Sequence, residues 1–407
     1  MNPSRSNVAL LVACLVLHFT ANAQDWPQWR GLNRDGQAAA FKSPSTWPDQ
    51  LTQKWDVPIG EGDATPALVG DKLFVFAREG GREIIRCLDA ATGKELWQDA
   101  YDALGATGPA SRHSGPRSSP VVADGKVITY GVRGMLSCLD ASTGKVLWRK
   151  DDFAGAWPQF FTASSPIVAE GMCVAQLGGS ENGGIVAYDL ATGEAKWKWT
   201  RDGTAYASPA LLTVGGTKLL ATLTDKNLVL LSLADGKLLW ESPFAPERRA
   251  YNAATPIVDG PTVIFTGAGR GTKAVRVEKQ GDQFSVKELW ANPDVAVQYN
   301  SPVLEGGWIY GLSQSGELFC LSAKDGKTAW TSSTGERGGF GTIVGAGDAL
   351  LLLTPKAELV AFSPNPAEYK SIATYKVADS ETYAYPVVAG NRIYVKDQDS
   401  LALWTVQ

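Results

Sequence analysis

The stretch Cys87-Leu-Asp-Ala-Ala-Thr-Gly-Lys-Glu-Leu-Trp97 decides the fold because the chain repeats it. The pattern returns as Cys138-Leu-Asp-Ala-Ser-Thr-Gly-Lys-Val-Leu-Trp148 and as Ala187-Tyr-Asp-Leu-Ala-Thr-Gly-Glu-Ala-Lys-Trp197. Weaker copies end at Trp240, Trp290 and Trp330. In an Asp-x-x-Thr-Gly turn, the Asp side chain accepts hydrogen bonds from the amides ahead of it and the glycine supplies a positive φ. Each copy is therefore predicted to be an antiparallel hairpin that ends in a tryptophan.

A second landmark precedes each hairpin, a Ser-Pro, Thr-Pro or Tyr-Pro step followed by alternating apolar residues and a glycine turn. Its positions, 40 to 54 residues apart, are Pro66, Pro120, Pro166, Pro209, Pro256, Pro302 and Pro386, with Thr342 in the slot of the remaining copy. Alternating apolar runs between glycine turns indicate three or four antiparallel strands in each copy. Eight such copies predict an all-β, eight-bladed β-propeller.

The two ends of the chain are expected to share one blade. The last copy, Tyr385 to Val406, has three predicted strands, and the segment Leu51-Thr-Gln-Lys-Trp55 supplies a lone outer strand. The tryptophans of the outer strands are predicted to dock between neighbouring blades, where each indole buries about 150–250 Å². These residues are Trp55, Trp97, Trp148, Trp197, Trp240, Trp290 and Trp330.

The beginning of the chain has the pattern of a secretory signal peptide. The apolar run Val8 to Phe19 leads into Ala21-Asn-Ala23, so cleavage is expected after Ala23 and the protein is predicted to be periplasmic or secreted. An alternative is a lipoprotein signal in which Cys14 is acylated. The predicted organisation is a signal peptide at 1–23, an N-terminal segment at 24–50 and a propeller at 51–407, with no transmembrane segment in the mature chain.

Composition excludes several functions. A formal net charge of −4, from 38 basic and 42 acidic side chains, argues against nucleic-acid binding, which requires a basic surface. Two histidines make a histidine-based metal centre improbable, and no metal ligands are assigned. The remaining cysteines are far apart in the sequence and are expected to be buried apolar residues rather than disulfide partners. They are Cys87, Cys138, Cys173 and Cys320.

The Asp-x-x-Thr-Gly-Lys-x-x-Trp hairpins resemble the tryptophan-docking repeats of the pyrroloquinoline quinone (PQQ) propeller superfamily, the quinoprotein alcohol dehydrogenase-like fold. The resemblance covers residues 51–407, and the segment Asp25 to Gly36 resembles the start of exported PQQ-binding-like repeat proteins. Within this superfamily, the fold serves quinone-dependent redox enzymes and also scaffolds such as the propeller lipoprotein of outer membrane protein assembly. Fold alone does not choose between them.

The enzyme interpretation implies bound PQQ with Ca²⁺, and the sequence lacks several features that the resemblance leads us to expect. It has no adjacent cysteine pair, and Asp397-Gln-Asp399-Ser lacks the glycine and distal glutamate of a calcium loop. No catalytic residue is assigned, and no cofactor is expected outside this alternative.

A ligand site is predicted at one mouth of the propeller channel, where the connections between blades carry aromatic and basic residues. The candidate residues are Arg112, His113, Arg117, Phe161, Tyr206, Arg248, Tyr251, Tyr299, Arg337, Phe340 and Tyr383. They could stack on a planar, sugar or peptide ligand and pair with its carboxylates. Alternatively, the aromatic rings pack between blades and the arginines pair with local acids such as Asp151, Asp152, Glu247 and Glu336.

The sequence therefore predicts an exported, non-catalytic propeller that acts as a binding or assembly scaffold in the cell envelope. Its expected partner is an envelope protein, or a small-molecule or glycan ligand at the channel mouth. The alternatives are a PQQ-dependent dehydrogenase acting on an alcohol or a sugar, and a polysaccharide-binding propeller.

Overall fold

Thirty-two strands form eight four-stranded antiparallel sheets in the computed structural model, which describes residues 25–38, 40–247, 250–333 and 338–406. Seven sheets consist of four strands that are consecutive in the chain. The eighth combines the last three strands with the first one. The first strands of several neighbouring sheets contact one another, which places them around a central channel. The prediction of an eight-bladed propeller is confirmed.

We number the blades in chain order. Blade 1 contains β2 (Ala67–Val69), β3 (Lys72–Glu79), β4 (Arg82–Asp89) and β5 (Glu95–Asp102), and blade 2 contains β6 (Val121–Ala123), β7 (Lys126–Tyr130), β8 (Leu136–Asp140) and β9 (Val146–Lys150). Blade 3 contains β10 (Ile167–Ala169), β11 (Met172–Leu177), β12 (Gly184–Asp189) and β13 (Ala195–Trp199), and blade 4 contains β14 (Ala210–Val214), β15 (Thr217–Leu223), β16 (Asn227–Ser232) and β17 (Leu238–Pro243). Blade 5 contains β18 (Ile257–Asp259), β19 (Thr262–Gly267), β20 (Gly271–Gln280) and β21 (Gln283–Asn292), and blade 6 contains β22 (Val303–Glu305), β23 (Trp308–Leu312), β24 (Glu317–Ser322) and β25 (Thr328–Ser333). Blade 7 contains β26 (Thr342–Ala346), β27 (Ala349–Leu353), β28 (Glu358–Phe362) and β29 (Ser371–Lys376), and blade 8 contains β30 (Val387–Ala389), β31 (Arg392–Lys396), β32 (Ser400–Thr405) and β1 (Thr52–Pro58). A short 3₁₀ helix, Gly108–His113, lies in the connection between blades 1 and 2.

Strand β1 closes the ring. It pairs antiparallel with β32, so that Thr52 faces Thr405 and Pro58 faces Ser400. The predicted shared blade is thereby confirmed.

The repeated turns have the expected chemistry. Asp89 Oδ1 accepts hydrogen bonds from the Thr92 hydroxyl at 2.6 Å and from the Thr92 amide at 2.8 Å, and these bonds lower the pKa of Asp89. Gly93 follows with a φ of 72°. The motif recurs along the chain because it closes the hairpin between the third and fourth strands of a blade.

Each strong repeat places its tryptophan against the glycine of the next blade's turn. A Cβ atom added to Gly144 would lie 2.5 Å from Cε3 of Trp97, so the indole covers the bare backbone. The indole N–H of Trp97 also donates to the Ala141 carbonyl at 3.3 Å. Equivalent pairs are Trp55 with Gly93, Trp148 with Gly193, Trp197 with Gly236 and Trp290 with Gly326.

Two tryptophans lack such a glycine. Trp330 donates its indole N–H to the Asn365 carbonyl at 2.9 Å. Trp240 packs on the apolar cluster between blades 4 and 5, as Phe284 also does. The hairpin that follows Trp240 is the long β20–β21 one, and nothing lies within 4 Å of a Cβ added to its turn glycine, Gly281.

The apolar core lies between neighbouring blades rather than at one centre. A representative cluster joins Ile128 and Cys138 of blade 2 to Cys173 and Tyr188 of blade 3. The four cysteines in the described part of the chain are buried free thiols, and burial raises the pKa of each.

The Ser-Pro and Thr-Pro steps link the blades around the channel. The amide of Ser119 donates to the Ser165 hydroxyl at 2.9 Å, and the amide of Ser165 donates to the Ser208 hydroxyl at 2.9 Å. The Tyr385 amide of blade 8 donates to the Thr65 hydroxyl of blade 1 at 2.9 Å. Each hydroxyl thus satisfies a buried amide of the preceding blade.

The N-terminal segment occupies the channel. Trp26 bridges to Leu68 of blade 1, and the Trp29 indole donates to the Thr255 hydroxyl of blade 5 at 2.9 Å. The Gln37 side chain donates to the Leu304 carbonyl of blade 6 at 2.8 Å. We call residues 25–38 the channel plug.

Two buried arginines fix the plug at the level of the Ser-Pro steps. Arg34 donates to the carbonyl oxygens of Ser165 at 3.1 Å and Pro166 at 2.9 Å in blade 3. Arg30 reaches blade 6 on the opposite side of the channel. The plug therefore ties together blades that are not neighbours.

Candidate binding site at the channel mouth

Aromatic side chains surround the end of the channel that lies beyond the Ser-Pro steps. They come from the connections that precede the inner strands, as the sequence predicts. We call the set the aromatic arc, and it consists of His113, Phe160, Tyr206, Tyr251, Tyr299, Phe340 and Tyr383.

One half of the arc contains a stacked pair. The rings of Tyr299 and Phe340 lie parallel, with centroids 4.1 Å apart, and each side chain is about 40% exposed: 43% for Tyr299 and 38% for Phe340. The edge of Tyr383 meets Phe340 at 6.0 Å, and His113 meets Tyr383 at 4.8 Å. This half presents an apolar surface to solvent.

The other half is formed by Phe160, Tyr206 and Tyr251. The Tyr251 ring meets Phe160 at 5.0 Å and Tyr206 at 5.8 Å, both in edge-to-face geometry. The Tyr206 hydroxyl accepts a hydrogen bond from the Phe160 amide at 3.0 Å. Burial, followed by the effect of the nearby Tyr251, raises the pKa of Tyr299.

The predicted histidine has an acidic neighbour. His113 Nδ1 lies 3.0 Å from Asp63 Oδ2, and both side chains are partly buried. The arrangement orients the imidazole against Tyr383.

Arg112 and Arg117 have different environments. Arg112 forms a two-pronged ion pair with Glu381, at 2.8 and 2.9 Å, and is largely exposed. Arg117 is turned inward, where its guanidinium donates to the backbone carbonyls of Phe160 and His113. Burial lowers the pKa of Arg117. Arg112 therefore pairs two connections at the surface, whereas Arg117 holds its connections in place.

Phe161 lies below the surface of the mouth. Its ring stacks on Trp157 at 5.5 Å, and the guanidinium of Arg133 lies 5.3 Å from its centroid. The backbone of Phe161 has a φ of 65°. Arg248 and Arg337, the other two predicted site residues, lie outside the described residues.

Asp152, one of the local acids proposed as arginine partners, contacts a tyrosine and a lysine instead. Asp152 accepts from the Tyr188 hydroxyl at 2.9 Å and lies 3.8 Å from Lys198. The acid that pairs with Arg112 comes instead from the connection before blade 8. Since that contact joins residues 269 positions apart, sequence spacing gave no sign of it.

A buried lysine lies next to the mouth at the junction of blades 8 and 1. Lys396 is 1% exposed, and its ammonium group donates to the carbonyls of Asp397 at 3.0 Å and Gly60 at 3.4 Å. Burial lowers its pKa to about 8, against the opposing effect of nearby carboxylates. These carboxylates are Asp63, Asp397, Asp399 and Glu61.

The residues present do not fit PQQ with Ca²⁺. Calcium is held by six to eight oxygen ligands, and the described ranges contain no group of three or more His, Cys, Asp or Glu side chains arranged to hold a metal ion. Below the mouth, Trp29 and Arg30 of the plug bond to the Thr255 hydroxyl and the Ser301 carbonyl, beside the inner strands of blades 5 and 6. We therefore derive no chemical step through this cofactor.

Sequence reasoning missed several residues that shape the mouth, among them Asp63, Glu381 and Asn252. Asn252 donates from its side chain to the carbonyls of Thr224 at 2.8 Å and Phe244 at 3.1 Å. A signal was available, because Tyr-Asn occurs both at 251–252 and at 299–300, at equivalent places in successive repeats. Asn300 likewise donates to two backbone carbonyls, those of Leu312 and Gly339.

Comparison with known proteins supplies the family. The family model described as outer membrane protein assembly factor BamB (PQQ_2) matches residues 81–332, which is more than half of the chain. The chain belongs to this family. A family relative, the outer membrane protein assembly factor BamB of Burkholderia pseudomallei, is 25% identical over 364 residues, which is 86% of each chain.

The family's fold is shared with quinone-dependent dehydrogenases. The quinohemoprotein alcohol dehydrogenase of Comamonas testosteroni is 30% identical over 140 residues, or 34% of this chain and 19% of that protein. Its crystal structure superimposes with a TM-score of 0.69 at 15% identity, covering 96% of this chain and 82% of that chain. BamB from Moraxella catarrhalis gives a TM-score of 0.64 at 15% identity, covering 88% and 98%. These structural likenesses show the fold.

None of the helical structure in the described ranges has the length and apolar character needed to cross a bilayer.

Proposed function

We propose that the protein is a non-catalytic scaffold for outer membrane protein assembly, which binds a partner protein at its channel mouth. The main support is the match to outer membrane protein assembly factor BamB over 86% of both chains. The exposed stack of Tyr299 and Phe340 supplies an aromatic anchor of the kind that dominates the binding energy of protein interfaces.

The proposal is tested by deleting the gene in its host and measuring the amount of folded outer membrane β-barrel protein. We expect this amount to fall and to be restored by the intact gene. A gene carrying Tyr299→Ser with Phe340→Ser should not restore it, because the anchor is lost. The matched control is Leu147→Ser with Ile372→Ser, two exposed apolar residues of outer strands. Full restoration by the mouth variant would contradict binding through the arc.

We also propose that residues 1–23 are a signal peptide removed after Ala23. The pattern Val8 to Ala23 supports it, and the relatives' description as outer membrane assembly factors agrees with export. Mass spectrometry of the protein from its host should find Gln24 at the N-terminus. An acylated Cys14 at the N-terminus would establish the lipoprotein alternative instead.

A PQQ-dependent dehydrogenase is the second candidate, supported by the match to the Comamonas testosteroni enzyme. Purified protein is incubated with PQQ and Ca²⁺ and examined for a bound chromophore and for alcohol-dependent dye reduction. Because the residues present do not fit the cofactor, we expect neither signal. Detection of both would replace the scaffold with an enzyme.

A further inference from the structure

A cleft of about 380 Å³ lies beside the aromatic arc, between blades 3, 4 and 5. Its walls come from three successive connections, through Gln159, Tyr206 and Tyr251, and from the second hairpins of two blades, through Ser180 and Asp225. Gln159 is exposed, so the cleft reaches solvent. Its volume falls in the range of about 300–1,000 Å³ that small-molecule sites occupy.

Two tyrosines give the cleft its apolar walls. The rings of Tyr206 and Tyr251 lie at 88° to each other with centroids 5.8 Å apart, and the Phe160 ring meets Tyr251 at 5.0 Å. Tyrosine presents a broad apolar face and a polar hydroxyl edge. The Tyr206 hydroxyl accepts from the Phe160 amide, and among the described residues none accepts its hydrogen, so that hydrogen can bond a ligand oxygen.

The polar groups of the cleft are mostly neutral. Ser180 and Asp225 both line the cleft, and burial, followed by the nearby Asp202, raises the pKa of Asp225. Among the described residues that line the cleft, Asp225 is the sole residue with a charged side chain at neutral pH. A carboxylate accepts hydrogen bonds from hydroxyl groups and repels anions.

The cleft is held rigid by its second layer. The amides of Tyr206 and Ala207 both donate to the Asn252 carbonyl at 3.0 Å. The Asn252 side chain is fixed by the Thr224 carbonyl and by Arg270, whose guanidinium donates to Oδ1 at 2.7 Å. A preorganised site of this kind loses little entropy when a ligand binds.

We propose that this cleft binds a neutral saccharide ring. A sugar ring has an apolar C–H face that matches a tyrosine ring and an edge of hydroxyls that matches the Ser180, Asp225 and Gln159 side chains. Acidic or phosphorylated sugars are disfavoured by Asp225. The inference is independent of the assembly function proposed above.

The test uses purified protein and the methyl glycosides of glucose, galactose, mannose and N-acetylglucosamine, with glucuronate and glucose 6-phosphate as charged comparisons. Ligand-observed NMR and calorimetry should show that at least one neutral glycoside binds, with a Kd of about 1 mM or lower. The charged comparisons should bind at least about tenfold more weakly.

Variants then locate the site. Tyr251→Ala should raise the Kd at least about tenfold, and Asp225→Asn should raise it severalfold. Leu96→Ala, at an exposed position of β5 that does not line the cleft, is the control and should leave the Kd unchanged. Melting curves verify that each variant is folded; if Tyr251→Ala does not fold, Asp225→Asn decides.

The proposal is overturned if none of the four neutral glycosides binds at about 20 mM, a concentration well above the expected Kd. It is also overturned if the charged comparisons bind more tightly, or if binding survives the cleft substitutions unchanged. A protein that binds sugar but fails the complementation assay upholds the cleft and refutes the scaffold. A protein that restores outer membrane protein assembly but binds no sugar refutes the cleft proposal and upholds the scaffold.

Discussion

The guanidinium of Arg30 donates a hydrogen bond of 2.6 Å to the carbonyl oxygen of Ser301, a residue 271 positions away. It also donates to the Pro302 carbonyl at 2.7 Å, and the side chain is 1% exposed. One side chain of the plug thus satisfies two buried backbone acceptors of blade 6.

We expect Arg30→Met to lower the free energy of unfolding by about 2–4 kcal/mol, because the two carbonyls lose a charged donor. The control is Arg201→Met. Arg201 is largely exposed and has one ion pair at 3.4 Å, with Glu241, so a change of at most about 1 kcal/mol is expected. Urea unfolding measures both, and equal losses would show that the plug does not stabilise the ring.

Docking of Trp97 on Gly144 can be separated from the cost of the turn conformation. Gly144 and Gly125 have nearly the same backbone, with φ of 74° and 71°, but nothing lies within 4 Å of a Cβ added to Gly125. Alanine at either position pays the cost of a left-handed conformation, about 1–2 kcal/mol. Gly144→Ala should cost about 1–3 kcal/mol more than Gly125→Ala, because its Cβ collides with the indole. Similar melting temperatures would contradict the docking role.

Ring closure depends on β32, which pairs with both β31 and β1. Deleting residues 399–407 should lower the melting temperature of the whole domain in one transition, because β1 loses its sole strand neighbour among the described residues. Leu403→Ala is a milder version; the side chain is 3% exposed, so a loss of about 2–5 kcal/mol is expected. Ile372→Ala, on an exposed position of β29, is the control. A truncated protein that melted like the intact one would refute closure.

Lys396 should make stability depend on pH. Its pKa falls from 10.5 to about 8 on folding, so between these values the unfolded chain binds a proton that the folded chain has released. Stability from this group therefore rises as pH increases through that window. At about 1.4 kcal/mol per pKa unit, the free energy of unfolding should gain about 2 kcal/mol between about pH 7.5 and pH 9.5, relative to Lys396→Met. Lys226→Met, at an exposed lysine, should keep the pH dependence of the unmodified protein. If Lys396→Met kept the same pH dependence of the free energy of unfolding as well, Lys396 would not be its source.

The fold could be predicted almost entirely from sequence because its determinants are local and repeated. Asp89, Thr92 and Gly93 form their turn within five residues, and the same spacing recurs along the chain. The Ser-Pro steps can be recognised in the sequence, but their role depends on the closed ring. There, the Ser165 hydroxyl accepts a hydrogen bond from the Ser119 amide.

The mouth could be predicted in outline but not in detail. Tyr299 and Phe340 meet in the aromatic arc because both precede inner strands, and their role in binding stays a prediction. The contact of Arg112 with Glu381 and the burial of Arg117 depend on which connections meet across the channel, and a repeat pattern does not encode that. The position of the plug in the channel could not be predicted for the same reason, because Trp26 to Gln37 follow no repeat and their structure depends on contacts with the surrounding blades.

The plug also constrains how the protein folds. Residues 25–38 leave the ribosome before any blade exists, yet their hydrogen bonds reach Thr255, Ser301 and Leu304. Contacts of such high sequence separation form late and slow folding. Until blade 8 is complete, Trp29 lacks Tyr385, on which its ring packs at 4.8 Å, and Trp26 lacks part of its apolar cluster. Both side chains then expose apolar surface, which favours aggregation. A segment near the start of the chain is therefore among the last to reach its place.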